Sequence, residues 1–480
     1  MPGADYTLIM PPKDMMGDKK LPADFAKISE WLLENIEDVD CAIISLDTLI
    51  YGGIVPSRLH NESENTLINR AKIIEKLRKL NLKMKLYLFQ LIMRCPSYSS
   101  SDEEPDYYEE CGEQIFLYGK YSHKQSLGIL DREEKEQFEK IKATLNKDYL
   151  NDFIDRRKKN LAVLKHNLRY IIDGTCDYFI IPQDDAEKYG FTSLDQMAVR
   201  EILKENVLHL KTSMYPSADD TGLILLARAI NELNCQKPKF YVHYASEKAK
   251  TVIPWFEDRP LDETIKYHIL SAGGLRVYSL CEADIVLAVS MGSKMCNFGD
   301  SDYDKCYNVE RNLNEFTEFI SYALNQNKIV AVCDNATANG SEIELINILN
   351  QKDLLLKISA YAGWNTSSNT IGTACTQAVL YFTGKDDKLN KQFLLLRYYE
   401  DLAYMAYVRS FVTENMLPSL NLNYFNAGSK RGKVSDLVKE NIIKFMAENY
   451  PNLAKYVKDL DVCMPWARMF ETELKLYFNE

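Results

Sequence analysis

The chain has 480 residues, of which 46% are hydrophobic and 26% are charged. This length favours two or three domains, and the composition excludes a disordered, collagen-like or disulfide-rich protein. With 58 Lys and Arg against 69 Asp and Glu, the formal net charge is -11. That balance argues against a broad nucleic-acid surface, because such surfaces depend on clustered Lys and Arg.

No apolar run approaches the ~18 residues that a membrane helix needs, and the N-terminus shows no basic-then-apolar signal pattern. The 11 cysteines include no CxxC spacing, which is typical of reduced thiols rather than disulfides or a zinc site. We therefore expect a cytoplasmic protein with no membrane or nucleic-acid partner. Its expected partner is a small-molecule substrate of the sugar class, and a homo-oligomer is left open.

Short β-type runs alternate with helical segments along most of the chain. The predicted strands are Tyr6–Met10, Cys41–Leu46, Lys85–Ile92, Tyr178–Ile181, Leu208–Lys211, Lys239–Tyr244, Leu275–Tyr278, Asp284–Val289, Ile329–Cys333 and Leu356–Tyr361. Amphipathic or charged stretches between them predict helices. One of these covers Ser341–Asn350, where Ser341 and Glu344 are spaced as a capping box. Strands that alternate with helices predict parallel sheets covered on both faces.

Two α/β architectures fit this pattern. We favour two doubly wound parallel-sheet domains followed by a helical region, because the alternation restarts at Lys239 with closely spaced strands. The predicted boundaries are 1–236, with an acidic insertion near 97–125, then 237–383, then 384–480. The alternative is a single (β/α)8 barrel with additions. In either case the apolar and aromatic stretch 393–407 should be largely buried.

In both architectures ligands bind at the carboxyl ends of parallel strands. Polar residues follow the predicted strands at those ends. The candidate site residues are Asp47, Tyr51, Arg58, Arg94, Gln183, Asp184, Asp185, Asp219, Asp220, Asp334, Asn335, Trp364 and Asn365. Because parallel strands deliver their carboxyl ends to one edge, we predict that most of these side chains line one cleft.

Some of these candidates have a purely structural alternative. Asp219 and Asp220 precede a helix and could cap it, and the same holds for Asn365. Asp184 and Asp185 differ, because adjacent carboxylates repel one another and neither opens a helix. Repulsion with burial raises one pKa and leaves the other low, which separates an acid from a base. We predict a chemical centre here, with Asp185 slightly favoured as the acid and Asp184 as its orienting partner.

Several common chemistries lack their motif. The sequence contains no GxxxxGK[ST], GxGxxG, HExxH or GxSxG pattern, so a P-loop, a dinucleotide site, a zinc protease and a serine hydrolase elbow are unsupported. His243 lies in a predicted strand and is expected to be a core residue. We predict no cofactor, although the Asp residues leave a divalent metal open.

Six segments resemble one known family over nearly the whole chain. They are PPKDMMGDKKLPAD, SLDTLIYGGIVPSR, PQDDAEKYGF, YPSADDTGLILLARA, EDRPLDET and SAYAGWNTSSNTIGTA. This set is similar to the domain-of-unknown-function family 4127. Members usually begin with one more strand, carrying an Asp-Glu-Arg-Pro motif, before the position of Gly3, and this sequence lacks it. They also tend to have Asp-Glu where this sequence has Asp219-Asp220. The resemblance implies a fold and a site but no reaction.

The leading functional hypothesis is a carbohydrate-active hydrolase. Sugars need dense polar contacts and an aromatic platform, and their hydrolysis needs two carboxylates of different pKa. Adjacent carboxylates resemble those of substrate-assisted glycosidases that act on N-acetylated sugars. One alternative is a protein that binds a small polar or phosphorylated ligand without turnover. The other is a metal-dependent hydrolase that uses the same Asp cluster.

Overall fold

The computed structural model describes residues 6–296 and 300–479. They pack as two compact units. The N-terminal unit consists of residues 7–225 with 256–259, and the C-terminal unit consists of 226–255 with 260–479 and residue 6. Each unit contains its own parallel sheet flanked by helices, which confirms the predicted α/β class. The two sheets are open, so the single closed barrel is wrong, while the predicted boundaries at 236 and 383 stay a prediction.

The sheet of the N-terminal unit follows chain order and is parallel throughout. Its strands are β1 (Cys41–Ser45), β2 (Lys85–Phe89), β3 (Tyr178–Gln183) and β4 (Thr212–Pro216). Every residue of β3 and β4 is buried, as expected for strands of a parallel sheet that is covered on both faces. Their register pairs Gln183 with Pro216, so the two strands end together.

The helices of this unit build two cores. They are α1 (Phe25–Asn35), α2 (Leu46–Tyr51), α3 (Ile54–Ser57), α4 (Glu64–Ala71), α5 (Ile73–Leu80), α6 (Tyr108–Ser126), α7 (Arg132–Thr144), α8 (Lys147–Asn167), α9 (Arg169–Ile172) and α10 (Phe191–Glu205). Leu86 and Leu88 of β2 pack with Leu67 of α4 in the core under the sheet. The predicted acidic insertion contributes α6, which forms a second core with α7 and α8 around Phe153.

The sheet of the C-terminal unit is also parallel, but its strand order reverses. Its strands are β5 (Lys239–Tyr244), β6 (Leu275–Arg276), β7 (Ile285–Val289), β8 (Ile329–Cys333) and β9 (Ala360–Ala362), in the order β6-β5-β7-β8-β9. The chain moves from β5 to one side of it and then crosses to the other. This reversal is the mark of a doubly wound sheet.

The helices of the C-terminal unit surround this sheet and continue to the end of the chain. They are α11 (Thr221–Leu233), which begins in the N-terminal unit, α12 (Leu261–Ser271), α13 (Leu313–Asn325), α14 (Ile343–Gln351), α15 (Ser367–Gly384), α16 (Asp387–Arg397), α17 (Arg409–Asn415), α18 (Lys433–Asn449) and α19 (Pro451–Ala454), with π-helical turns at Asp304–Val309 and Tyr398–Val408. Leu394, Tyr398 and Leu402 lie in the same core as Val330 of β8, which confirms that the stretch 393–407 is largely buried.

The region predicted as purely helical also contains an antiparallel pair of strands, β10 (Val457–Cys463) and β11 (Glu473–Phe478). Leu460 and Val462 point into the core from β10, as does Leu474 from β11. This alternation of apolar and polar residues has the period of a strand. The sequence therefore carried the signal, and helical periodicity was the wrong interpretation of it.

Four local predictions are wrong. The strand expected at 356–361 begins only at Ala360. Residues 6–10 are exposed and form no strand, because an apolar run has no ladder without a partner. The strand expected at 208–211 begins instead at Thr212. The capping box at Ser341 does not form, because the Ser341 hydroxyl is hydrogen-bonded by the Tyr361 hydroxyl (2.6 Å) and the residue before α14 is Glu342. Among the helices in the described residues, none has both the length and the apolar composition needed to cross a bilayer.

Candidate functional site

Asp184 and Asp185 lie directly after β3, in a turn that the end of the strand creates. Pro182 and Gln183 are the last strand residues, and Asp185 has a left-handed backbone (φ 43°), a conformation that Asp tolerates better than most residues. Both carboxylates are partly accessible, with 17% and 14% of their side chains exposed. The turn therefore presents the two acids together at the carboxyl end of the sheet.

Two arginines hold this pair of acids. Arg58 Nη2 donates to Asp184 Oδ2 at 2.8 Å, and Arg94 Nη1 lies 3.4 Å from Asp185 Oδ2 and 3.8 Å from Asp184 Oδ2. The contact between Arg94 and Asp185 is an ion pair without hydrogen-bond geometry. As a result, Asp185 Oδ2 has no hydrogen-bond donor among the described residues.

A glycine turn brings Arg58 into position. Gly52 ends α2 with a left-handed backbone (φ 88°), and a Cβ there would lie 2.5 Å from the Cβ of Pro22. Only glycine meets both conditions without strain. The chain then reverses into α3, and Arg58 follows as the last residue of that turn. The YGG motif therefore does more than close a loop.

Glu103 and Glu104, from the acidic segment before α6, complete the cluster. Glu104 Oε1 accepts from Arg94 Nε (2.7 Å) and from Arg58 Nη1 (3.2 Å), and its side chain is only 1% exposed. Glu103 Oε2 accepts from the same two guanidinium groups at 3.1 and 3.3 Å. Each arginine thus bridges the acidic segment to the Asp184-Asp185 turn.

Neither glutamate was among the residues predicted for the site. Both lie in the segment predicted only as an acidic insertion near 97–125. The one available signal was charge complementarity, since two arginines placed at strand ends need carboxylates nearby if they are buried. The course of the segment after Arg94 is set by tertiary packing, and no periodicity in the sequence reports it.

The pKa of Asp185 is raised, while the predicted separation of the two acids into an acid and a base stays a prediction. Burial raises the pKa of Asp185 to about 7, with the positive charge of Arg94 opposing this and the negative charge of Asp184 adding to it. Asp185 therefore keeps a proton at pH values where a carboxyl group is ordinarily ionised. Asp184 instead has a direct charge-assisted hydrogen bond from Arg58. The two neighbouring acids therefore differ in their surroundings, because burial dominates at Asp185 and an arginine hydrogen bond dominates at Asp184.

Asp47 and Tyr51 lie beneath this cluster on α2. Asp47 Oδ2 accepts from the Leu91 N–H at 2.8 Å, and burial raises the pKa of Asp47 to about 7. Tyr51 is buried and its ring packs 5.0 Å from that of His60. A cavity of about 10 Å³ lies between Asp47, Arg58 and Asp184, which is room for about one water. These residues support the site from within rather than open onto solvent.

The acids after β4 have different positions. Asp220 is fully buried, and its Oδ1 accepts from the Ser217 hydroxyl (2.7 Å) and the Ala218 N–H (3.3 Å). Both donors precede α11, so these bonds hold the turn after β4, and capping of the helix stays a prediction. Asp219 is exposed, and the negative charge of Asp184 is close enough to affect its pKa. Surrounding protein atoms and then the charges of Asp184 and Asp220 raise the pKa of Asp219, although solvent screens this effect.

Gln183 is turned away from open solvent. Its Oε1 accepts from Arg259 Nη2 at 2.6 Å, and Arg259 Nη1 also donates to the Met214 carbonyl (3.0 Å). This guanidinium links the ends of β3 and β4 within the N-terminal unit. Gln183 therefore fixes the strand end from which Asp184 projects.

Asp334 occupies the corresponding strand end in the C-terminal unit, but it is fully buried. It accepts from the Ser290 hydroxyl (3.0 Å), the Tyr361 hydroxyl (2.8 Å) and the Glu342 N–H (2.8 Å). Glu342 in turn receives two hydrogen bonds from Arg311, at 2.6 and 2.5 Å. These contacts make Asp334 a residue that ties together the residue after β7, the strand β9 and the residue before α14.

Asn335, Trp364 and Asn365 lie near Asp334 in the same unit. Asn335 is buried and donates to the Ser367 carbonyl and hydroxyl at 3.0 and 2.7 Å. The Trp364 indole donates to the Thr373 hydroxyl (3.0 Å), so its ring is held against α15. The Asn365 carbonyl accepts from the Asn339 N–H (2.9 Å).

A second buried acid stabilises this loop. Asp401, in the π-helical turn, is paired with Arg397 and accepts from the Gly363 N–H at 2.8 Å. The Arg397 guanidinium also lies 5.8 Å from the centre of the Trp364 ring. Burial raises the pKa of Asp401, and its arginine partner opposes that rise.

The structure therefore gathers the predicted residues into two groups, one in each unit. Asp47, Arg58, Arg94, Asp184, Asp185 and Asp219 form the first, and Asp334, Asn335, Trp364 and Asn365 form the second. Their meeting in one cleft stays a prediction. Within the described part of the chain, no three His, Cys, Asp or Glu side chains are arranged to hold a metal ion. His243 stacks on Phe319 with ring centres 3.7 Å apart, but it is only partly buried and its Nε2 lies 3.5 Å from Glu315 Oε2, so it is at the edge of the core rather than within it.

Comparisons with known proteins place the chain in a family. It is an α/β protein whose sequence matches the family described as "Protein of unknown function (DUF4127)" over residues 2–475. The chain therefore belongs to this family, which confirms the resemblance of its motifs. No curated protein matches it.

One solved structure is similar over 88% of this chain and 79% of its own, with 10% identity and a TM-score of 0.16. It is the "Structure of Phytolacca americana UGT2 complexed with UDP-2fluoro-glucose and pterostilbene". At that TM-score the likeness carries no argument about this chain.

Proposed function

We propose that the protein is a hydrolase with its chemical centre at Asp184 and Asp185, and that its substrate is a glycoside. The observation that carries this proposal is the difference in surroundings between the two acids. The pKa of Asp185 is raised to about 7 by burial, while Asp184 is bound at 2.8 Å by Arg58. A proton donor next to a held carboxylate is the combination that glycoside hydrolysis requires.

In this mechanism Asp185 gives its proton to the glycosidic oxygen as the bond to the anomeric carbon breaks. The acids are adjacent, so the second one is too close to position a water on the opposite face of the sugar. The substrate's own acetamido oxygen then forms the new bond to the anomeric carbon, and Asp184 accepts a hydrogen bond from the acetamido N–H. Water later attacks that carbon and returns a proton to Asp185. The bond to the acetamido oxygen breaks as water adds. Asp185 is ionised between the two steps, so both acids are back in their starting states only when the turnover is complete.

The test is a screen of aryl glycosides, including aryl N-acetylglucosaminides, with and without EDTA. We expect release of the aryl alcohol that is insensitive to EDTA and strongest with the N-acetylated sugar. Loss of activity with EDTA favours the metal-dependent alternative. Equal rates on sugars with and without the acetamido group would contradict the substrate-assisted step, but they would still support a glycoside hydrolase.

A binding protein without turnover is the second candidate. The observation that favours it is the completeness of the ion pairs, since both guanidinium groups are already bonded to Glu103 and Glu104. Such a network is rigid, and a rigid polar surface suits recognition. Heat of binding from an N-acetylated sugar with no product in the same sample would support this candidate.

A further inference from the structure

The strand order of the C-terminal unit marks a second place where a ligand should bind. The chain runs from β5 outward to β6 and then returns past β5 to β7, so the loops after β5 and β7 leave the sheet in opposite directions. In open α/β sheets, ligands bind in the crevice that opens at such a reversal, outside the carboxyl ends of the strands. None of the candidate residues from the sequence lies in these two loops.

A pocket of about 750 Å³ lies at this point. Its walls are the residues directly after β5 (245–248), the end of the segment between β7 and α13 (307–314), and Glu344 and Ile348 of α14. The volume falls within the range of small-molecule sites. The fold rule and the cavity are separate observations, and they agree on the location.

Hydrogen bonds between the two loops fix the pocket walls. The Ser246 hydroxyl donates to the Glu310 carbonyl (2.7 Å), and the Asn312 N–H donates to the Ala245 carbonyl (3.2 Å). The guanidinium group of Arg311 donates to the Ser290 carbonyl (3.2 Å). Because these bonds join the loops after β5 and β7, the pocket is formed before any ligand arrives, which lowers the entropic cost of binding.

The charges of the lining limit what the pocket takes. Lys248 is paired with Glu310 at 2.8 Å, and Arg311 is fully buried against Glu342. Glu247 is exposed and paired at 2.6 Å with Lys250, which lies outside the lining, and Glu344 is exposed. Carboxylates therefore outnumber cations on the accessible lining, so a phosphate or carboxylate ligand is disfavoured.

The remaining lining suits a hydroxylated ligand. Three exposed asparagines, Asn308, Asn312 and Asn314, lie beside the two acids. Asn308 Nδ2 donates to Asp304 (2.9 Å) and Asn312 Oδ1 accepts from the Glu315 N–H (3.0 Å), so the other amide group of each, together with Asn314, supplies donors and acceptors to the pocket. Val309, 71% exposed, and the half-buried Ile348 supply apolar surface. Amides and carboxylates bond hydroxyl groups, and an apolar patch accepts the C–H face of a ring.

We propose that this pocket is a second ligand site, for a hydroxyl-rich small molecule that is uncharged or cationic and has the size of a mono- or disaccharide. It is built by one unit alone, and its residues are distinct from the Asp184-Asp185 centre. It therefore stands whether or not that centre hydrolyses glycosides.

The experiment is ligand-observed NMR on the full chain with three probes of one shape: glucose, glucosamine and glucose 6-phosphate. We expect glucosamine to bind at least as well as glucose, and glucose 6-phosphate to bind about tenfold more weakly than either. Asn314→Trp, which fills the pocket from the first turn of α13, should lower the affinity for glucose and glucosamine by about tenfold or more. Tyr322→Trp places the same side chain at an exposed position two turns further along α13 and is the matched control.

Two further variants separate the possible results. Glu344→Lys should improve glucose 6-phosphate binding at the expense of glucosamine. Asp185→Asn should leave the effect of Asn314→Trp on binding unchanged, so failure of the hydrolase proposal and failure of this one are distinguishable. Strongest binding by glucose 6-phosphate, equal binding by wild type and Asn314→Trp, or no binding of any probe at its highest soluble concentration would each overturn the proposal.

Discussion

The two units place the same residue types at the same kind of position and use them differently. In the N-terminal unit, Asp185 follows its strand with 14% of its side chain exposed and one oxygen that lacks a hydrogen-bond donor among the described residues. In the C-terminal unit, Asp334 follows its strand fully buried, with three donors in place. A strand-end acid whose two oxygens both accept hydrogen bonds from the protein holds the scaffold, whereas one with an oxygen that lacks a donor is available for chemistry.

The largest effect that tests this comparison is on turnover. Asp184→Asn and Asp185→Asn should each lower turnover by about 10²–10⁴-fold, because an amide neither donates the proton nor holds the charge. The fold should persist, since the amide keeps the shape of the carboxyl group. Rates on an aryl glycoside and a circular dichroism melt of each variant are the measurements.

If both variants keep more than about a tenth of the activity, well short of that loss, the Asp pair is structural. The chemical centre would then lie at Asp219-Asp220, where Asp219 is the exposed acid. In that case Asp185 would hold the scaffold of its unit, as Asp334 does in the C-terminal unit.

The next effect is on stability, and it belongs to the C-terminal unit. Arg311→Met removes the partner of Glu342 and leaves a carboxylate buried without its cation. Breaking a buried pair in this way costs about 3–5 kcal/mol of the free energy of unfolding. Urea denaturation followed by tryptophan fluorescence measures it.

The matched control is Arg431→Met, which breaks the exposed pair with Asp461. Exposed pairs contribute less than about 1 kcal/mol. If the two variants lose similar amounts of the free energy of unfolding, the network of Asp334 and Glu342 contributes no more to stability than an exposed ion pair.

The third effect is a pH dependence of stability that arises at Asp47. Its pKa is raised to about 7 in the folded state, above the value of 3.8 for the free side chain. The folded protein therefore binds more protons than the unfolded chain between these values, so stability falls as pH rises from about 4 to about 7. Asp47→Asn removes this titration and can still accept the hydrogen bond from Leu91.

We expect the free energy of unfolding of Asp47→Asn, relative to wild type, to rise by up to a few kcal/mol as pH increases through that window. Denaturation at pH 4, 6 and 8 measures this difference. Asp38→Asn, at an exposed position, is the control, and its curve should run parallel to that of wild type. A parallel curve for Asp47→Asn as well would show that Asp47 is not protonated in the folded protein.

Some features of these residues could be predicted from the sequence and others could not. The strands before Asp47, Asp184 and Asp334 were predictable, because buried parallel strands are continuous apolar runs with little ambiguity. A strand's end gives the edge of the sheet at which a side chain lies. It does not give the partners of that side chain, which is why Asp334 and Asp185 were indistinguishable as sequence.

Contacts that depend on the course of a loop were beyond prediction for the same reason. Glu104 reaches Arg58 and Arg94 from a segment with neither helical nor strand periodicity. Its place follows from the need to neutralise two buried guanidinium groups, which becomes visible only when both arginines are known to be buried. The strand β10 was missed for another reason, since its alternating pattern was present but followed a long helical region.

The smallest effect is the one that tests Glu104 as part of the site. Its negative charge raises the pKa of Asp185, after larger contributions from burial, Arg94, Asp184 and Arg58. Glu104→Gln keeps the shape and an acceptor oxygen for Arg94 but removes that charge, so the pKa of Asp185 should fall. Asp185 then loses its proton at lower pH, and the alkaline limb of the turnover profile moves in the same direction, while turnover on the acidic side of the profile changes by less than about tenfold. Glu109→Gln, on an exposed acid of the neighbouring turn that binds Ser101, is the control and should leave the alkaline limb in place. If the alkaline limb stays in place in Glu104→Gln while the free energy of unfolding falls, Glu104 stabilises the positions of the two arginines and has no effect on the pKa of Asp185.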